Sequence, residues 1–433
     1  MSIFFPPAHH GMKVLNRAAF KKSYDVIGVR VPAKRVGIVV KAFGNNLLNQ
    51  PRLRNVAEDS GSKETKLVLL KADLRREDLE NLPQEAKKVM ETDVLGVVDH
   101  HIDLDYDYWT SEQIMHAVMP KDAKEIPSSF TQTGHIAHMN LREEYYPWKT
   151  IVGEIILDKN KNITCVVNKT NSIDTTYRYF KMELLAGDGN MMTMVKESGC
   201  RFKFDFSKVY WNSRLHTEHE RLVRMFKPSE NVSCVGDVFA GVGPFALPAA
   251  KGGAIVYAND LNPSSYEWLN ENVQLNKIDS KKIHTYNMDG REFIKKAVQD
   301  LQETSTEWKT FDHFVMNLPA TAIEFLDTFR GLYNDKKELF EASKDAKLPI
   351  IHCHCFTKSA DPRQDIFDRV AHMIGAPVDS ELTQLHLVRN VAPKKDMYCV
   401  SFPLTPDVAF APLSKRKSDE SHPEDTATQK IKL

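Results

Sequence analysis

The chain has 433 residues, and its 58 Lys/Arg balance 58 Asp/Glu, so it carries no net formal charge. That length points to two or three domains rather than one core, and 42% hydrophobic with 27% charged residues excludes a largely disordered chain. No apolar run approaches the roughly 18 to 20 residues that cross a bilayer, and six cysteines with no C-x-x-C pair and no secretory signal make a reducing compartment the default.

The charge is unevenly spread. Residues 1–57 hold ten Lys/Arg against the single acid Asp25, whereas 91–109 hold six acids and no Lys or Arg. A basic arm on a neutral body fits a phosphate-contacting module; it equally fits a solvated face. The first 24 residues lack acids, and Lys13, Arg17 and Lys21 recur at helical spacing, as in a mitochondrial presequence, although Pro6-Pro7 would interrupt such a helix. Next, Gly28–Val40 alternates as a strand, Leu67–Lys71 reads as a short one, and Arg75–Thr92 has helical spacing broken at Pro83. These elements predict a small α+β domain over 25–110. A second, over 126–210, opens at Ser128–His138 and continues through apolar segments at Ile151–Leu157, Ile163–Val167, Arg178–Ala186 and Arg201–Val209.

From Val232 the texture changes. Strands are expected at Val232–Val238, Ala254–Asp260, Lys282–Asp289, Phe311–Asn317 and Leu348–Phe356, then a pair near Gln384–Arg389 and Met397–Phe402. Helices are expected between them at Pro244–Lys251, Pro263–Asn276, Arg291–Leu301 and Ala322–Tyr333. Alternation of this kind predicts a mostly parallel sheet with a ligand at the strands' carboxyl ends, in a domain over 211–405. Beyond 413 the chain turns polar and reads as a disordered tail. His352-Cys353-His354-Cys355 has the composition of a metal site, but in a strand the two His and two Cys would face opposite sides, so a buried strand and no metal is expected.

The densest local signal is Asp237-Val238-Phe239-Ala240-Gly241-Val242-Gly243-Pro244-Phe245-Ala246, a strand running through a glycine turn into a helix. Gly241 and Gly243 let backbone approach a ligand, and Gly-x-Gly-x-x-Ala on spacing alone leaves a dinucleotide open. Asp260 ends the second strand, where an acid suits ribose hydroxyls of either ligand. Asp237 stands where a dinucleotide site has apolar residues, and an acid there suits the methionine ammonium of S-adenosylmethionine. Asp289-Gly290 ends the third strand, where an acid reaches the adenine amine. Any one of these acids could instead cap the following helix; three in succession form the class I methyltransferase pattern. The fourth strand ends in Asn317-Leu318-Pro319-Ala320, of the Asn-x-Pro type from which amino-methyltransferases recognise a planar target nitrogen.

These motifs, with Asn259-Asp260-Leu261-Asn262-Pro263 and Val209-Tyr210-Trp211-Asn212-Ser213-Arg214-Leu215-His216-Thr217-Glu218-His219-Glu220-Arg221, closely resemble the archaeal and eukaryotic tRNA guanine-N1-methyltransferases acting on guanosine 37. The resemblance runs from Gly11–Lys22 to about Pro403 and is motif-dense over 178–320. It implies an α/β class I, Rossmann-like catalytic domain preceded by two smaller α+β domains that meet tRNA. It also implies S-adenosylmethionine as cofactor, a monomer on one tRNA, and nuclear and cytoplasmic pools; the acid-free first 24 residues add the expectation of a mitochondrial matrix pool, and the lack of a long apolar run that of no membrane attachment. Carried over by motif, Glu218 is the general base, Arg178 holds guanine O6 and Asn317 contacts the guanine edge and the cofactor. Tyr210, Arg214 and Pro319 position the substrate. His219, Asp237, Gly241, Gly243, Asp260, Leu261, Asp289 and Gly290 line the cofactor site. The chemistry agrees, because guanine N1 is protonated at neutral pH and needs a base beside it and a cation at O6. Taken alone, Glu218 would read as a solvated helix acid. Two rivals are the related wybutosine-pathway enzyme that moves the aminocarboxypropyl group, which lacks Asn-Leu-Pro-Ala, and an NAD-dependent oxidoreductase.

Overall fold

The computed structural model describes residues 4–173, 180–227 and 232–412. The chain falls into two compact units, Met1–Ser172 with Phe180–Met191, and Ile173–Tyr179 with Met192–Leu433.

In the first unit, β1 (Lys22–Pro32), β2 (Val56–Glu58), β3 (Thr65–Leu69) and β4 (Gly96–Leu104) form an antiparallel sheet of order β2-β3-β1-β4. Helices α1 (Val36–Phe43) and α2 (Gln84–Thr92) bury Val39, Phe43 and Ala86 against Val29 and Val31. The strand expected through Val40 thus ends at Pro32, and Val36–Phe43 is helical although three of its residues are valine. Burial of one face outweighs the modest helix penalty of β-branched residues.

The same unit holds α3 (Ser111–Val118), β5 (Thr131–Thr133), β6 (Ile136–Met139), α4 (Lys149–Lys159), β7 (Cys165–Ile173) and β8 (Phe180–Gly187), with sheet order β5-β6-β7-β8. One cluster joins Phe4, Phe20 and Trp109 to Ile114 of α3, Ile155 of α4 and Leu185 of β8. The two expected small domains therefore share a core.

Phe4, Leu15 and Phe20 are built into it as well. Phe4 and Phe20 are fully buried and Trp109 Nε1 donates to Phe20 O at 2.8 Å. Of the stretch in which Lys13, Arg17 and Lys21 stand at helical spacing, only Arg17–Phe20 winds, as a 3-10 turn. The basic stretch is also partly committed. Arg17 pairs with Asp158, Arg30 with Asp59 and Arg35 with Asp93, the last an acid of the 91–109 run.

The second unit starts with the hairpin β9 (Met192–Glu197) and β10 (Cys200–Asp205), 19 residues before the expected 210/211 boundary. The reason is a pair of amide contacts. Lys203 N donates to Asn272 Oδ1 and Arg201 N to Asn276 Oδ1, both at 2.8 Å, which binds the hairpin to the helix Pro263–Leu275 and its C-cap in this unit.

After α5 (His216–Met225) come β11 (Cys234–Asp237), α6 (Ala246–Lys251), β12 (Ile255–Asn259), α7 (Pro263–Leu275), β13 (Ile283–Tyr286) and α8 (Gly290–Glu303). Then follow β14 (His313–Met316), α9 (Lys337–Ala342), β15 (Ile350–Thr357), α10 (Pro362–Ile374), β16 (Gln384–Ala392) and β17 (Lys395–Pro403). The sheet order is β13-β12-β11-β14-β15-β17-β16, parallel except for the β16–β17 hairpin, whose β17 pairs antiparallel with β15. Strand order reverses between β11 and β14, which opens a crevice outside their carboxyl ends.

Two helices differ from expectation. Ala322–Phe329 winds as 3-10 turns, and α10 is a helix beyond those expected although its signals are local: Asp361 caps it, Pro362 opens it and Gly375 closes it at φ 69°. The tail beyond 413 lies outside the described residues. Among the described residues, no helix is long and apolar enough to cross a membrane.

Candidate active site

The crevice is built by short buried strands that stop together. β11 is buried at all four residues and ends on Asp237, whose side chain is fully buried with both carboxylate oxygens unpartnered among the described residues. Burial pushes this carboxyl well above the carboxylate range, and the charge of Asp260 pushes it further. The amides of Phe239 and Ala246 pull the other way, though neither reaches a full hydrogen bond. Gly241 and Gly243 follow with φ of 55° and 99°, a region open to glycine at no steric cost. A Cβ on Gly243 would run into Leu247 and lie 2.9 Å from Leu269, whereas one on Gly241 would meet nothing within 4 Å. Gly243 thus serves packing, and Gly241 leaves open space before the turn.

Asp260 clamps this turn. Its Oδ2 accepts from Gly241 N at 2.8 Å and its Oδ1 from Asn262 N at 2.9 Å. Burial raises its carboxyl to about 6 while these amides and Ser265 restrain it. Asn259, itself fully buried, staples three strand ends by donating to Val238 O at 3.1 Å and Met288 O at 3.0 Å and accepting from Met288 N. Leu261, between half-buried Asp260 and buried Asn262, is 45% exposed and offers an apolar surface at the β12 end. Asn287 Nδ2 donates to the carbonyls of Asp260 and Leu261 and fixes that surface.

Asp289 takes the capping role that its position also allowed: its exposed side chain accepts from Arg291 N at 2.8 Å, and Gly290 begins α8. At the end of β14, Asn317 has a buried Oδ1 with no partner among the described residues. Pro319 O accepts from Phe356 N at 3.0 Å, which ties the Asn-Leu-Pro-Ala turn to β15.

Helix α5 carries the remaining candidates. Glu218, His219, Leu222 and Val223 form its buried face. Glu218 is only 3% exposed, so the solvated-acid reading fails. Arg221, one turn on, donates to both carboxylate oxygens, Nε to Oε2 at 2.7 Å and Nη2 to Oε1 at 2.8 Å. His354 of β15 donates from Nε2 to Oε1 at 2.7 Å, and His386 of β16 has its Nε2 at 3.7 Å from Oε2. Burial alone would push the Glu218 carboxyl up; the guanidinium and imidazole outweigh it and hold it at about 2. Burial would likewise push His354 down, but Cys399 and Glu218 hold it up at about 10. Glu218, His354 and Cys399 place ligand-type atoms within 4.8 Å of one another. Arg221 already takes a lone pair on each carboxylate oxygen, and its charge opposes a metal cation there.

His219 Nδ1 donates to Glu197 Oε1 at 2.5 Å, and its ring packs edge-on at 4.7 Å against Phe245, just past the glycine turn. Tyr210 is 46% exposed, and Arg214 is exposed on the turn before α5, where its amide bonds Asn212 Oδ1 at 3.2 Å. Arg178 lies outside the described residues. His352–Cys355 forms the buried strand expected of it. His352 and His354 face the α5 side, toward Phe226 and Glu218, while the charge of Arg369 on α10 acts on the two cysteines.

The sequence reading missed Asn259 as the staple and Arg221, His354 and His386 as partners of Glu218. Arg221 was legible at i,i+3 on the helix. His354 comes from 136 residues away, and no local pattern announces it.

Comparison with known proteins gives two matching family models, the TRM5/TYW2 methyltransferase domain over 193–360 and the TYW2 N-terminal domain over 111–190. A tRNA (guanine(37)-N(1))-methyltransferase of Batrachochytrium dendrobatidis is 43% identical over 458 residues, 97% of this chain and 95% of its own. One of Phytophthora infestans is 44% identical over 405 residues, covering 92% of this chain and 94% of its own. Among solved structures, Trm5b from Pyrococcus abyssi superposes with TM-score 0.57 at 24% identity, over 87% of this chain and 99% of that one, a likeness of fold.

Proposed function

We propose that this chain, which belongs to the tRNA (guanine(37)-N(1))-methyltransferase family, binds S-adenosylmethionine at the ends of β11, β12 and β14 and methylates N1 of guanosine 37 in tRNA. The observation that carries the cofactor assignment is Asp237. A fully buried acid without a hydrogen-bond partner among the described residues, beside a glycine turn, would be kept from ionising by a pyrophosphate but suits an ammonium, which would let it ionise. This disfavours a dinucleotide. Asp260 would meet the ribose hydroxyls, Leu261 would offer a surface for the adenine, and the buried Oδ1 of Asn317 would accept a hydrogen bond at the target edge. S-adenosylmethionine supplies a methyl group on a sulfonium, an electrophile that needs no further activation.

The chain's own work is then on the guanine. N1 must lose its proton, and Glu218 is the base. Held at about 2 by Arg221 and His354, it is ionised at neutral pH yet weakly basic. A base works best nearer the ambient pH, so Glu218 serves once Arg221 gives up at least one of its two hydrogen bonds and burial raises the carboxyl. Arg178 would hold the charge that develops at O6. For the tRNA, Lys34, Lys41 and Arg54 of the basic stretch are exposed and can meet phosphates.

Unmodified tRNA transcripts bearing G or A at position 37, incubated with cofactor labelled either in the methyl group or in the aminocarboxypropyl chain, test this reading. Methyl label confined to the G transcript, as 1-methylguanosine, is expected. Label arriving from the aminocarboxypropyl chain would assign the chain to the rival transfer.

A further inference from the structure

Glu218 takes up a proton in every turnover and sits where solvent does not reach it: its side chain is 2% exposed. The proton must leave before the next guanine arrives. Three groups lie at its oxygens, and they differ in what they can accept. Arg221 stays protonated at any working pH. His354 has no exposed side-chain surface and is held protonated by its neighbours up to about 10. His386 differs on both counts. Its side chain is 47% exposed with Nε2 at 3.7 Å from Glu218 Oε2, and burial, Arg221 and His354 lower its affinity for a proton while Glu218 opposes them. It stands on the outer strand β16, opposite Cys399 of β17.

We propose that His386 carries the proton taken from guanine N1 out of the site, from Glu218 to solvent. This rests on Glu218 being the base. The balance is simple. The N1–H bond breaks as the N1–CH3 bond forms, the proton joins Glu218, and the sulfonium becomes a thioether. The carboxylic acid then gives the proton to Nε2 of a neutral His386, whose other nitrogen releases one to water. The 3.7 Å gap is closed by a small rotation of the imidazole. Return of Arg221 to its bidentate contact lowers the proton affinity of Glu218 again and drives the proton outward. His354, on the other oxygen, holds the carboxylate in place.

Rapid-mixing assays with excess tRNA and cofactor in weak buffer test the relay. His386→Gln, and His386→Asn beside it, should pass the first turnover within about twofold of the wild-type rate and then run at least about tenfold slower, leaving a burst of one product per enzyme. Millimolar imidazole should restore the later turnovers of the variants and leave the wild-type protein unchanged. Later turnovers at the wild-type rate, or slow ones that imidazole does not lift, would overturn the relay. Glu218→Gln run in parallel separates the two ideas: it should slow the first turnover itself, and a normal first turnover there sinks the base, whatever His386 does.

Discussion

Asp59 and Asp93 of the first unit meet cations and donors, whereas Asp237 and Asp260, at the ends of β11 and β12, lie deep with less to offset their burial. Asp59 accepts from the Thr65 hydroxyl, the Arg30 guanidinium and the Gly61 amide, and these hold its carboxyl at about 2. Asp237 is raised by burial and by Asp260, with no full hydrogen bond among the described residues. Asp260, bonded to the Gly241 and Asn262 amides, reaches about 6. Glu218 has the partners of a structural acid at the depth of a functional one. The contrast teaches that an acid satisfied from within supports its fold, while a buried acid left unsatisfied is destabilising until something from outside completes it.

The largest test of that contrast is Glu218→Gln. With Glu218 as the proposed base, this change should slow single-turnover methyl transfer by about 10² to 10⁴ with cofactor and tRNA affinities nearly kept. It should also lower stability by roughly 3 kcal/mol, since Arg221 and His354 then face an amide. Near-normal transfer in a folded variant would return Glu218 to a structural role.

Asp237→Asn comes next. It should weaken S-adenosylmethionine binding by about 3 kcal/mol, the cost of removing one partner of a buried pair, while leaving the cofactor-free protein as stable or more so. The pH dependence has a defined sign. A carboxyl raised in the folded state makes that state bind more protons, so its effect is to reduce stability as pH rises from 3.8 toward the folded value. Urea midpoints against pH should lose this component in the Asn variant; an unchanged slope would mean that Asp237 is not protonated in the free protein.

Asp260→Ala should lose about 1.5 to 3 kcal/mol of cofactor binding, as the ribose loses a charge-assisted partner. Calorimetry showing wild-type affinity would remove it from the site. The smallest effect belongs to the first unit. A double-mutant cycle on Arg17 and Asp158, a pair at 2.8 Å that is partly exposed, should give a coupling of at most about 1 kcal/mol. A much larger coupling would erase the distinction between the two kinds of acid.

The parts of the site lying within one turn or one strand were readable in order: the glycine turn, the acid at each strand end, the Asn-Leu-Pro-Ala turn and the i,i+3 spacing of Glu218 and Arg221. Each rests on local geometry, in which a few consecutive residues fix their own backbone and direction. The roles of individual acids were less so, because Asp289 can cap a helix or meet a ligand from the same position, and it caps α8 here.

Sequence alone therefore determined the fold class, the parallel strands with the crevice at their carboxyl ends and the turn motifs that border it, since periodicity and turn chemistry are carried by neighbours in the chain. Only the tertiary structure decided where the units divide, that Phe4 and Phe20 are core residues, and what surrounds Glu218. Those outcomes depend on strands brought together from distant parts of the chain, as when β15 and β16 set His354 and His386 against a helix that precedes both. The protonation state of a buried acid is fixed by that company and by its depth, and neither is written in its own neighbourhood.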